Sequence, residues 1–527
     1  MLDDSHNQTW PPRHWQREQK LIEEARQWLI GQVSDLAMFY NDARSSDYRT
    51  WRQRVASVMA GKADPEKPTG QERLHVPLPR QIARTSASLL FSDGFSFEYK
   101  AARAKDVEGQ APSLETVAAR LAEEELQQLI DDEGWQAKLW QAAYVSSGEG
   151  GVYLLPAWYE GDVRPRLRAV HHNRGVPRFV GGKLIEATLW SVVEKETNGT
   201  IWRHLECYYG GHVQHGLYKG KSNLLGERVD LGAHGSTSGI QDADRDGVVD
   251  LARYSIEANE LLCDYVPNLL PHPVSLDGNV GGSDTQGFED QLYALDSADS
   301  GWESDVRVGK RRVIVSEDML DRSGTRGGGA SFDTEREVFV GLAHSPLEGV
   351  DPIRPIDFEI RADSFQTTVE SRFSRCCTAA GYNPESVTWA ESGQPMTATE
   401  VMSRDSLSRD TTNSKRRYFT PALEAQASKH LRIGKALGGI TTDQTSPTLQ
   451  WPQVDDGDQA ATADLINTLA LAGAISIYRR VQLANPEWDD TEIQEEVQRI
   501  REDQGLAAPA PPTPQEQTGE PEPDDLG

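Results

Sequence analysis

Between Thr397 and Leu437 the chain carries a stretch whose polarity restricts what it can build. Thr397-Ala398-Thr399-Glu400 reads as a capping box: the Thr397 hydroxyl caps forward and the Glu400 carboxylate reaches back. From Ser403 to Lys415 the helix that follows is nearly all Ser, Thr, Arg and Asp, with Leu407 almost alone. A helix polar all round is not the core of a simple globule. It needs water on several faces, or neighbours that offer polar partners. Pro421 lacks an N–H and clashes with the previous turn, so it is expected to kink or break the helix.

The stretch before it alternates in kind. Ile356 to Ile360 reads apolar–acidic with period two, a half-buried strand entered from Pro352 and Pro355. Asp363 or Ser364 can N-cap the next helix, predicted over Ser364–Ala380, which buries Phe365, Val369, Phe373, Cys376 and Cys377. Gly381 stops it and Pro384 prevents resumption. Tyr382 to Met396 is then a loop with Trp389 near its middle. Upstream, Gly287–Asp305 reads as a helix with Phe288, Leu292, Leu295, Ala298 and Trp302 on one face. Val313–Val315 and Glu337–Leu342 read as strands, with a Gly-rich loop over Asp321–Ser331 between them.

In the first half, Trp15–Trp51 reads as helical, with Trp28, Leu29, Val33 and Leu36 close to one face. A helix follows His75-Val76-Pro77, and Phe95–Tyr99 alternates as a strand. Leu114–Glu133 is amphipathic, with Leu114, Val117, Leu121, Leu126, Leu129 and Ile130 as its stripe. Trp135–Ser147 is helical and Val152–Leu155 a strand. Strands over Leu167–Val170, Ile185–Glu196, Ile201–Tyr209 and Val213–Tyr218 make an antiparallel meander, with Asn198-Gly199 as a type I′ hairpin turn. His171, His172, His204, His212 and His215 fall within it, read here as structural histidines rather than a metal site. Asp242, Asp244, Asp246 and Asp250 with Gly247 match the start of a calcium loop. Arg253 stands where the bidentate Glu belongs, so an exposed acidic turn is the alternative. Thr441–Pro452 reads as a link to a last helical unit, and the Pro-rich acidic segment from Leu506 to Gly527 cannot bury enough to order itself.

Composition excludes several classes. Four cysteines (Cys207, Cys263, Cys376 and Cys377) in 527 residues rule out a disulfide scaffold and read as buried thiols. There is no charged-then-apolar leader and no membrane-length apolar run, so neither secretion nor membrane anchoring is expected. A net charge of −28 argues against tight wrapping of nucleic acid, though not against loose passage of a duplex past an acidic wall. No Walker A, G-x-S-x-G or H-E-x-x-H motif is present. No catalytic residues, enzyme activity or cofactor are expected.

The order strand, helix, aromatic loop, TATEV cap (Thr397–Val401) and long polar helix resembles the portal proteins of long-tailed bacteriophages. HVPLPRQIARTSASLLFSDGFSF (His75–Phe97) is similar to that family's early helix, and RHLECYYGGHV (Arg203–Val213) to its wing sheet. The resemblance implies an α+β, ring-forming portal fold. Its parts are an α/β wing (1–286), a stem helix (287–309), a small β clip (310–361), a second stem helix (362–380), a tunnel loop (381–396), a kinked long helix (397–440), a helical crown (441–505) and a tail (506–527). It implies a homo-oligomeric ring, twelve subunits in the usual case, at one capsid vertex of a virion assembled in the bacterial cytoplasm. Double-stranded DNA would pass non-specifically through it during packaging and ejection. Terminase large subunit and head–tail adaptor would dock on it, beside major capsid and scaffolding protein. Tyr382, Asn383, Trp389, Glu391 and Gln394 would face DNA. Lys415, Arg416 and Arg417 would touch phosphate or pair with an acidic neighbouring subunit. Arg311, Arg312, Arg322 and Arg326 would meet partners at the clip. Another head or neck structural protein, or a carboxylate-dependent glycoside hydrolase, is the alternative.

Overall fold

Four apolar residues in a row, Val152 to Leu155, leave a strand no wet face, and the computed structural model places this run at the centre of the molecule's larger unit. The strand, β2 (Gly151–Ala157), sends Val152 and Leu154 into one core cluster and Tyr153 and Leu155 into another. The structure describes residues 2, 8–36, 74–103, 113–159, 161–240, 243–244, 246–272, 275–308, 312–315, 353–356, 361–387, 398–442, 446–452, 466–485, 488 and 490–503. The chain divides into two units, residues 1–395 with 404–452, and residues 396–403 with 453–527.

In the larger unit β2 lies between β10 (Asp264–Pro267) and β3 (Arg166–His171), antiparallel to both. A second antiparallel sheet runs β4 (Gly175–Val180), β5 (Lys183–Lys195), β6 (Ile201–Tyr209), β7 (His212–Gly220) and β8 (Glu227–Val229), with β9 (Val248–Asp250) also on β7. Three of the four strands expected in the meander are here, with β4 added before them, whereas Leu167–Val170 lies in β3 on the other sheet. The β5–β6 turn is not the predicted type I′: the Glu196 carbonyl accepts from Gly199 N at 3.0 Å, so Thr197 and Asn198 are the central residues, and only Gly199, φ 82°, is left-handed. Helices α1 (Gln16–Ile30), α2 (Leu78–Phe91), α3 (Leu114–Asp132) and α4 (Trp135–Glu149) precede the sheets.

Two helical expectations are corrected. α1 ends at Gly31, φ 70°, where a Cβ would come 2.6 Å from the His75 ring, so no single helix reaches Trp51; residues 37–51 lie outside those described. In α3 the buried face is Thr116, Ala119, Ala122, Leu126, Leu129 and Ile130. Leu114, Val117 and Leu121 are 91%, 40% and 43% exposed. Two alanines let the helix approach its neighbours closely, and the larger side chains turn to solvent.

Helices α5 (Glu289–Val308) and α6 (Ala362–Ala379) pack on each other, and the long helix α7 runs Ala398–Leu437. α7 passes Pro421 without a break, so of the two outcomes expected there the break is excluded. The proline deprives the Arg417 carbonyl of its in-helix donor. Phe419, Ala422 and Leu423 around it are buried, and that packing holds the helix together. The expected linker Thr441–Pro452 contains β13 (Thr448–Gln450), which pairs with β1 (Ser96–Glu98) and so belongs to the larger unit. The smaller unit holds a short helix at 466–471, then α8 (Ile477–Ala484), capped by the Ser476 hydroxyl, and α9 (Asp490–Asp503). Val481, Ile493 and Val497 form its core. No helix among the described residues is long and apolar enough to cross a membrane.

Candidate functional site

The helix pair α5/α6 is antiparallel, as three contacts along it show. Arg361 Nη2 donates to Asp305 Oδ1 at 3.2 Å, Gly301 faces the Phe365 ring, and Arg372 Nη1 donates to the Ala294 carbonyl. Beyond the Asp305–Arg361 end, β11 (Arg312–Val315) pairs antiparallel with β12 (Ile353–Ile356), Arg312 opposite Ile356. The second strand thus lies earlier than the predicted Ile356–Ile360; residues 357–360 are outside those described. Burial is confined to the other end of the pair. Phe288 just before the first helix, Leu292, Leu295 and Asp296 within it, Cys376 and Cys377 in the last turn of the second and Ala380 just after it are buried. Between Ser297 and Val306, and between Ala362 and Arg375, no residue is buried. Of the clip arginines, Arg312 lies on β11, and Arg311, Arg322 and Arg326 lie outside the described residues, as does the predicted strand Glu337–Leu342.

The segment after α6 corrects the predicted loop. Gly381 turns with φ 82° and its carbonyl accepts from Thr411 Oγ1 at 2.6 Å. Asn383 N donates to Ser408 Oγ at 2.9 Å, and Pro384–Val387 forms one helical turn. Tyr382 is fully buried, its hydroxyl donating to Asp284 Oδ2 at 3.2 Å, and Asn383 is buried as well. Neither can face a channel: they are the root of the segment, clamped against α7. Trp389, Glu391 and Gln394 lie outside the described residues.

Lys415 is likewise unavailable to a phosphate. Its side chain is 2% exposed, with Nζ 2.6 Å from Asp284 Oδ2 and 2.7 Å from Ser86 Oγ. The same carboxylate accepts from Ser147 Oγ at 2.6 Å, and its Oδ1 accepts from Asn268 Nδ2 at 2.7 Å. Burial pulls the Lys415 ammonium below its ordinary pKa, and Asp284 opposes that pull. The partner is an acid of the same chain, not of a neighbouring subunit. Arg416 is half-buried, its guanidinium 5.0 Å from the Trp451 ring centroid. Arg417 alone of the three is exposed. Ser408, Thr412 and Lys415 give α7 a buried polar face, and its partners come from Ser86, Asp284 and the 381–383 turn. The polar helix therefore does not need copies of the chain to satisfy this face.

No family model matches the chain, and no curated protein matches it. Among solved structures it is similar to a chain in the neck of an empty GTA particle computed with C6 symmetry, at TM-score 0.42 and 13% identity, covering 78% of this chain and 91% of that one. It is also similar to a chain in the neck of a native GTA particle computed with C12 symmetry, at TM-score 0.37 and 14% identity, covering 77% and 88%. Likeness this low assigns no function. The α+β class stands on the elements themselves.

The acidic stretch forms a turn. Asp244 Oδ1 accepts from the Asp246 and Val248 N–H groups at 2.9 and 2.8 Å, Gly247 holds φ 74°, and Asp250 lies on β9, its Oδ1 accepting from Ala252 N at 2.9 Å. The turn runs into β9 at the seventh position of the motif; Asp242, its first position, lies outside the described residues. Two polar groupings were missed in the sequence. One is the Asp284 node, whose acid sits in a Gly-Gly-Ser-Asp-Thr run that looks like any surface turn. The other is the convergence of His204, Glu206 and His215 on one face of β6 and β7. The strict two-residue period and the Gly210-Gly211 turn signal that these residues share a face, though not that they meet.

Proposed function

We propose that this chain is a subunit of a phage-type portal ring, in which copies of α5/α6 stand side by side around a channel for duplex DNA. The observation that carries the reading is the α5/α6 pair with its strand pair at one end. Over ten residues of α5 and fourteen of α6 nothing is buried. Short helices in water are marginal by themselves. In a closed ring each pair gains two lateral neighbours. Phe365 and Val369, half-buried, and Val306, 37% exposed, supply apolar surface for such contacts.

In this reading the strands β11 and β12 belong to the clip, where terminase large subunit and a head–tail adaptor dock. The net charge of −28 keeps the bore from gripping the phosphate backbone. Twelve is the expected copy number. The test is electron microscopy of the purified chain together with its mass by light scattering over a range of concentrations. Annular particles with a central hole are expected. A monomer at every concentration, with no annuli in assembled particles, refutes the proposal.

A further inference from the structure

His204, Glu206 and His215 each bring a ligand atom to one place, all within 4.8 Å of one another. The register produces this. Glu206 lies opposite His215 and His204 opposite Leu217 on the antiparallel pair β6/β7. Positions 204 and 206 share a face by the two-residue period, and His215 completes it from across the ladder. His204 Nε2 and His215 Nδ1 are 3.1 Å apart, with the rings inclined by only 15°. Two imidazole nitrogens on one zinc-like ion, each about 2.05 Å from it at a tetrahedral angle, lie about 3.3 Å apart. The pair stands within a few tenths of an ångström of that spacing.

Glu206 is buried and held by Arg168 of β3, whose Nη1 lies 2.8 Å from Oε2 and 3.1 Å from Oε1. A carboxylate has about four lone-pair sites, so one guanidinium nitrogen and the Tyr208 hydroxyl leave room for a metal bond. Both histidines are half-buried, which leaves a route from solvent. We propose that His204, Glu206 and His215 form a site for one divalent transition-metal ion, with a fourth position open to water. Two imidazoles and one carboxylate suit zinc-class ions, whereas calcium and magnesium take oxygen ligands. On binding, the ring that donates in the His204–His215 hydrogen bond moves its proton to its other nitrogen. Both rings stay neutral, and no proton is lost. The ion then ties β6 to β7 through side chains.

The test is titration of the metal-free chain with Co²⁺, followed by its visible absorption, with competition by Zn²⁺. A band saturating at about one ion per chain and displaced by zinc is expected. It should vanish in the His204→Ala/His215→Ala double variant and weaken in Glu206→Gln. His212→Ala should leave it unchanged, because that residue lies on the opposite face of β7. A missing band, or one that survives in the double variant, overturns the proposal. Arg168→Gln provides an arm that keeps all three ligands. Removing a cation from beside the ion should tighten binding about tenfold, and unchanged or weaker binding there also overturns the site.

Discussion

Removing Asp284 should cost far more than removing Lys415, although the two form one ion pair. Asp284→Ala leaves a buried ammonium with the Ser86 hydroxyl and the Tyr382 ring but no counter-charge from Asp284, and strips Ser147, Tyr382 and Asn268 of their common acceptor. Breaking a buried pair from one side costs about 3–5 kcal/mol, and the loss of three further bonds keeps the figure at the upper end. Lys415→Met leaves the carboxylate with three donors from Ser147, Tyr382 and Asn268, so about 1–3 kcal/mol is expected. The double variant Asp284→Leu/Lys415→Met should not recover wild-type stability. The donors of Ser147, Tyr382 and Asn268 stay buried without an acceptor, and the total should resemble that of the Asp284 variant alone. Equilibrium unfolding in urea, followed by tryptophan fluorescence and circular dichroism, measures all three. Costs that add within about 0.5 kcal/mol, or a Lys415 variant less stable than the Asp284 variant, would refute the reasoning.

Acid should weaken the fold well above carboxylate pKa values. Burial lowers His172 and His430 to about 4 from an unfolded value near 6.5, so in that window the unfolded chain binds more protons and stability falls as pH falls. His430→Leu should remove up to about 1.4 kcal/mol per pH unit of that slope, and an unchanged slope in unfolding measured from pH 7 to pH 4 counts against it. Gly175→Ala should destabilise by about 1–3 kcal/mol in the same urea assay, since its Cβ would lie 2.2 Å from the buried Tyr153 ring; a neutral result would mean the ring can yield. On α3, Val117→Gln and Leu121→Gln should stay within about 0.5 kcal/mol of wild type, whereas Ala122→Leu should cost about 1–3 kcal/mol by overpacking. The reverse ranking of thermal midpoints would restore the face first expected from the sequence.

What could be read in advance follows from how local each cause is. The β5–β6 hairpin was legible because Gly199 supplies a left-handed residue, although the turn type was misread, and β6 was bounded correctly because glycines and alternation mark both ends. The core face of α3 was misread because hydrophobicity was weighted by size, while helix approach selected Ala119 and Ala122. The loop root was misread for a different reason. Tyr382 follows a helix-stopping glycine and looks exposed, but its environment is set by Asp284, 98 residues away. The same acid decides that Lys415 is an interior residue, across 131 residues of chain. The metal-site candidate lay between these cases. Its face was fixed by period two, while the meeting of its three side chains depended on a register that only the paired strands reveal.

The pairing of Ser96–Glu98 with Thr448–Gln450 bears on the order of synthesis. Phe97 and Leu449 share one interior cluster, so a nascent chain that has emitted its first three hundred residues still presents that cluster's apolar surface to the cytosol. Closure waits for the segment that follows the long helix. Until that segment leaves the ribosome, the open edge at Phe97 is a place where strangers can pair, and the finished seam removes it.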